Sequence, residues 1–173
     1  SYVICWDRLV KDDIDLLSRF VRRRVDGLLL LPMECPPSPS HIAQLHSFHN
    51  PVVLIDQVWR GSDFDYVGSD NRGGAAALVE RLIAAGRRIG SVIFTEVSSG
   101  EERRTGFLDA MFRHNMPVDA RFLCKVTDSK SSYEEIRKLL SAEERPDALV
   151  CFNDYLANDA LNAAFDLGIR VPE

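Results

Sequence analysis

With 173 residues and 46% hydrophobic content, the chain can form one ordinary domain or two small lobes. Its formal charge of −5 and pI near 5.4 argue against a nucleic-acid surface on this segment, which would need clustered Lys and Arg. No run reaches the ~18 apolar residues of a membrane helix. In chain order, Tyr2 to Trp6 reads as a strand ending in Asp7, and Asp12 or Asp13 opens a helix with Ile14, Leu17, Phe20 and Val21 on one face. Leu28 to Leu31 is a fully apolar strand closed by Pro32, and the prolines up to Pro39 require a loop. Ser40 to Phe48 reads as a short helix with Ile42, Leu45 and Phe48 inward. A strand over Pro51 to Ile55 ends in the polar pair Asp56-Gln57, and Tyr66-Val67 is a short extended piece.

Asp70 to Asn71 opens a helix that runs to Ala85, where Gly86 breaks it. Arg87 to Phe94 contains the next strand, and Ser98 to Glu102 reads as a polar loop. Glu101 to Asn115 reads as a helix with Phe107, Leu108, Met111 and Phe112 as its apolar face. Phe122 to Val126 is a strand, Asp128 to Ser132 a loop, and Tyr133 to Ser141 a helix carrying Ile136, Leu139 and Leu140. Ala148 to Phe152 then reads as a strand covered on both faces. Asn153-Asp154 stands where a helix cap belongs, Leu156, Ala160, Leu161, Ala164, Phe165 and Leu167 recur at helical spacing, and Gly168 stops the helix.

Strand and helix alternate about six times, which predicts an α/β chain with parallel sheets and helices on both faces. The polar strand ends, Asp7, Asp56-Gln57, Asp70-Asn71 and Asn153-Asp154, would then lie along the carboxyl edges where ligands gather in open α/β sheets. The best internal boundary is Gly86-Arg87, giving segments 1–86 and 87–173.

Cys5, Cys35, Cys124 and Cys151 show no C-x-x-C spacing, and three of them lie in apolar runs, a pattern that suits a reducing cytoplasm. His46 and His49, with His41 and Cys35 nearby, read better as a solvated helix face than as metal ligands. No cofactor fingerprint, nucleophile elbow, phosphate loop or zinc motif occurs, so no catalytic residue, metal or cofactor is expected.

Several stretches together carry a family likeness. Val25 to Pro32 resembles the "VDGLILLP" strand of the LacI/GalR regulators, and Pro51 to Asp56 resembles their next strand. Val67 to Gly74 with Leu82 to Ile89 resembles "SDNRxGG…LIxxGHRRI", with Arg87 where His is usual. Arg103 to Phe107 resembles "RxxGF", and Arg145 to Asp154 with Gly168 to Glu173 resembles "RPTAIFAAND…GLRVPED". The likeness runs in order along essentially the whole chain.

The resemblance implies a two-lobed, periplasmic-binding-protein-like core that takes a small polar effector, a sugar or derivative, between its lobes. Operator DNA would be bound through a helix-turn-helix headpiece that is not in this chain, by a homodimer in the cytoplasm with no membrane attachment. It also implies a strand and helix before Ser1 and a strand after Glu173. Segments 1–86 and 87–173 would be parts of the amino-terminal and carboxyl-terminal effector subdomains.

Arg103 matches the family's effector-contacting Arg, with Arg104 as the alternative, and a guanidinium gives fixed donors for vicinal hydroxyls or an acid. Asn153 matches the strand-end Asn, whose amide donates and accepts; a plain helix cap is the alternative. Asp70, Asn71 and Arg72, at a helix start, Asp56, and Asp7 are further candidate contacts, and Trp59 either stacks on a sugar or packs internally. A periplasmic sugar-binding protein of the same fold, or an α/β enzyme acting on a sugar or nucleotide, are the competing readings.

Overall fold

The computed structural model describes residues 2–5, 25–32, 39–59, 61–95, 97–127 and 131–172. Asp7, the helix expected from Asp12 or Asp13, Cys35 and the start of the Asp128 loop lie outside the described residues. The described chain divides into two compact units, Ser1–Ser69 with Val97–Ser99, and Asp70–Glu96 with Gly100–Glu173.

The first unit carries a parallel sheet in the order β1-β2-β3-β4, from Tyr2–Cys5, Leu28–Leu31, Val52–Ile55 and Asp65–Val67. Residues Leu28 and Leu30 pair with Val52 and Leu54 and send their side chains into one core. Helix α1, Pro39–His46, covers that face with Leu45, and Trp59 completes the cluster. Ile42, Leu45 and Phe48 all turn inward as the spacing predicts. His46 stacks on Phe64 at 4.8 Å between centroids and sits 3.4 Å from Asp63.

The second unit has a parallel sheet in the order β6-β5-β7, from Leu123–Lys125, Ile89–Ile93 and Ala148–Cys151. Strand β5 is central and every one of its residues is buried. Strand β7 flanks it on one side and is only partly buried, so the expected cover on both faces is incomplete among the described residues.

Four helices pack here: α2 (Asn71–Ala84), α3 (Ser98–Arg113, from Gly100 onward), α4 (Ser132–Ser141) and α5 (Asp154–Asp166). Helix α2 buries Ala76 and Val79 with Ile89, Phe107, Ala110 and Met111. That packing holds α2 within the second compact unit. On the other side Val92, Cys124, Ile136, Leu140, Leu156, Ala160, Ala163 and Ala164 form the second cluster. Ser132 and Tyr133 of α4 donate to Asp159 and Asp166 of α5 and bind those helices together.

Two helix faces differ from expectation. Phe112 is 83% exposed, because α3 buries the stripe Phe107, Ala110 and Met111 and turns residue 112 outward. Leu161 and Phe165 are exposed on α5, because the helix packs through Leu156, Ala160, Ala163 and Ala164, a narrower stripe than its apolar residues offered. Cysteine thiols follow the core: burial pushes Cys151 up to about 11, with Cys124 adding to the shift, and burial raises Cys124 as well.

Candidate functional site

The carboxyl end of β7 is where the second unit concentrates polar chemistry. The strand stops at Cys151, and Asn153 takes extended backbone angles as the N-cap of α5, its Oδ1 accepting from the Leu156 N–H at 3.0 Å. Asn153 therefore caps α5 through its Oδ1. Its Nδ2 has no partner among the described residues. Asp154 is exposed in the first helical turn, a favourable place for a carboxylate.

Arg103 reaches this strand end from the second turn of α3. Its Nη1 donates to the Phe152 carbonyl, its Nε donates to Asn71 Oδ1 at 2.9 Å, and its guanidinium carbon lies 4.8 Å from the Phe152 ring centroid. Phe94 packs on Phe152 at 6.0 Å and walls the arrangement. Nη2 keeps both hydrogens unpartnered among the described residues. Arg104, the competing candidate, points elsewhere and sits 3.8 Å from Glu101 in an exposed i,i+3 pair.

Asn71, the first residue of α2, is 5% exposed and bridges the helices: its Oδ1 takes Arg103 and its Nδ2 donates to Glu102 at 3.0 Å. Two glycines permit this packing. A Cβ on Gly106 would lie 2.1 Å from the Arg72 carbonyl oxygen, and one on Gly100 would lie 1.9 Å from that of Phe94. Hence the spacing Arg103-x-x-Gly106 has a physical reason. One helical turn past the arginine, the missing side chain lets the start of α2 come close.

The neighbours of Asn71 do other work. Asp70 is the N-cap of α2, accepting from Gly73 N at 2.8 Å, and is exposed. Arg72 turns to Asp109, whose hydrogen bond and charge raise its pKa further, so that guanidinium is committed on an exposed surface. Of the three residues that open α2, the inward one is Asn71, which the sequence did not set apart from Asp70 and Arg72.

In the first unit, Asp56 adopts a left-handed φ of 64° at the end of β3, with Gln57 N bonded back to the Ile55 carbonyl at 2.7 Å. Gln57 is 6% exposed. Its Oε1 accepts from Ser98 Oγ and Ser99 N, and its Nε2 donates to Asp56 Oδ2 and Ser99 Oγ, all within 3.1 Å. Ser98 Oγ also accepts from Val58 N at 2.8 Å. The stretch Ser98 to Gly100, expected as a loop, is thus the first turn of α3, capped by a residue some forty positions away. Trp59 is 2% exposed and packs in the apolar core beside Phe64.

Comparison with known proteins places this geometry. A sequence family described as the periplasmic binding protein-like domain matches residues 79–173, more than half of the chain. The chain belongs to this family. It is 33% identical over 162 residues to the HTH-type transcriptional repressor PurR of Pectobacterium carotovorum, covering 91% of this chain and 47% of that protein. It is 31% identical over 166 residues to the arabinose metabolism transcriptional repressor of Geobacillus stearothermophilus, covering 91% of this chain and 46% of the other. Among solved structures, a LacI family transcriptional regulator from Mycobacterium smegmatis superposes with a TM-score of 0.74 at 26% identity, over 92% of this chain and 59% of that one. The resemblance to the LacI/GalR effector-binding domain therefore stands, and the parallel α/β architecture is that of the family. The chain spans about half the length of the curated relatives it matches.

Proposed function

We propose that this periplasmic-binding-protein-like chain is the effector-sensing part of a bacterial DNA-binding transcriptional regulator. The observation that carries this reading is Arg103. Asn71 and the Phe152 carbonyl hold it in one pose, spare N–H groups remain on it, and it adjoins the strand end that presents the Asn153 amide. Fixed donors beside an aromatic ring suit a small polar ligand with adjacent oxygens, a sugar or sugar derivative.

The work is binding without turnover. An effector with unequal affinity for two states of the regulator shifts their populations, and the same coupling free energy changes affinity for operator DNA. Operator contact belongs to a headpiece outside these 173 residues, in a homodimer on palindromic DNA, in the cytoplasm. The repressor relatives favour this over a periplasmic transport protein of the same family.

Calorimetric titration of the chain with D-ribose, L-arabinose and D-glucuronate tests the ligand class. At least one is expected to bind, and Arg103→Ala is expected to weaken it about tenfold or more. Unchanged affinity in that variant would sink the site, and chemical conversion of a bound sugar would sink the non-enzymatic reading.

A further inference from the structure

We infer that Asn71 is a positioning residue of the effector site, acting through Arg103; the inference rests on the reading of Arg103 as the effector's contact. Asn71 is 5% exposed and both ends of its amide are used, one by Arg103 Nε and the other by Glu102. Its orientation is chemically determined. Flipping the amide would set NH2 against the Nε–H of Arg103 and oxygen against the Glu102 carboxylate, two repulsive contacts in place of two attractive ones.

A side chain locked in this way converts a flexible arginine into a preset one. The Nε bond to Asn71 and the Nη1 bond to the Phe152 carbonyl fix the plane of the guanidinium at two points. The ordering of a long side chain is thus complete before a ligand arrives, so a ligand does not lose affinity to it. The acceptor is also neutral. It holds the guanidinium without cancelling its charge, which a carboxylate in the same place would do.

The geometry of the helices serves the same contact. Gly106 lets the Arg72 backbone approach α3 to within a distance no Cβ could tolerate, and that approach brings Asn71 into reach of Arg103. Asn71, Arg103 and Gly106 therefore form one device spread over two helices, with only Arg103 meeting the ligand.

A double-mutant cycle on the full chain tests this, using calorimetry with whichever of D-ribose, L-arabinose or D-glucuronate binds tightest. Asn71→Ala is expected to weaken binding about tenfold, and to weaken it no further in the Arg103→Ala background. Asn71→Asp combined with Glu102→Gln keeps an acceptor for Nε and a donor opposite it at position 102, and is expected to bind a neutral sugar within about threefold of the parent. In parallel, the Arg103 Nε–H resonance should exchange slowly with water in the parent and in that double variant, and fast in Asn71→Ala.

If Arg103→Ala loses binding while Asn71→Ala keeps it, the positioning role is wrong and the site reading survives. The role is equally wrong if Asn71→Asp with Glu102→Gln is as weak as Asn71→Ala, or if the two alanine losses add. If none of the sugars binds, or Arg103→Ala binds like the parent, the site reading itself falls and the Asn71 role falls with it.

Discussion

Two polar clusters in this chain look alike in composition and differ in what they leave unpaired. In the first unit, all four hydrogen-bonding positions of the Gln57 side chain are occupied, by Ser98, Ser99 and Asp56. In the second unit, Arg103 spends two donors on neutral acceptors, and its other donors and the Nδ2 of neighbouring Asn153 have no partner among the described residues. A closed polar cluster specifies structure, since every buried group has its partner and none remains for a ligand. An open one is held in place by some of its groups and offers the others. The comparison separates a residue that builds the fold from one proposed to read the effector, although both are buried or half-buried polar side chains.

The largest effect should come from the contact that sets the open cluster up. Gly106→Ala forces a Cβ against the Arg72 carbonyl, a backbone atom that cannot swing aside. A loss of about 3 kcal/mol is expected by urea denaturation, with Arg103 binding lost alongside stability. If Gly106→Ala were neutral, the close approach of α2 would be dispensable.

Next is the closed cluster. Gln57→Leu keeps the bulk but strands Ser98 Oγ, the Ser99 N–H and Ser99 Oγ in a buried place, at a cost of about 2 kcal/mol. Arg103→Ala should cost under about 1 kcal/mol in the same assay while abolishing most binding, the opposite pattern. Equal stability losses in the two variants would erase the distinction between closed and open clusters.

Cys151 tests a third way of keeping a group quiet, by partial burial with no polar partner among the described residues. Its thiol is pushed from 9.0 up to about 11, chiefly by desolvation. A raised folded value means the neutral thiol is favoured in the native state. The contribution is complete below the ordinary thiol value and is lost as pH rises through the interval toward about 11. Stability should therefore fall more steeply between pH 9 and pH 11 in the parent than in Cys151→Ala. Parallel curves would show that the thiol titrates as it does in water.

How legible these clusters were in the sequence depended on whether their partners were local. Helix α5 could be read almost to the residue, because its cap Asn153 and its stop Gly168, at a φ of 67°, lie at its own ends. The apolar run of Leu28 to Leu31 likewise announced a buried strand. The first turn of α3 was not legible. Ser98-Ser99-Gly100 has turn composition, and the groups that make it helical come from Gln57, far away in sequence. Which of Asp70, Asn71 and Arg72 faces inward was not legible for the same reason, since only the packing of α2 on α3 decides it. Trp59, Phe112 and Phe165 show the limit for large apolar residues: hydrophobicity marks a face as available, and the neighbouring element decides whether it is used.

Asn153 sits on the line between the two kinds of cluster, which makes it the finest test. Its Oδ1 is closed by the Leu156 N–H and its Nδ2 is open. Asn153→Ala removes both, and about 1 kcal/mol of stability should go with the cap. Asn153→Asp keeps an acceptor for the same N–H and places a negative charge at a helix start, so stability should match the parent within a few tenths of a kcal/mol. What the aspartate cannot do is donate. If Nδ2 binds the effector, Asn153→Asp will fold like the parent and bind worse, and the calorimetric loss will equal that of Asn153→Ala. If instead Asn153→Asp binds like the parent, the amide is a cap alone, and the open part of the site shrinks to Arg103.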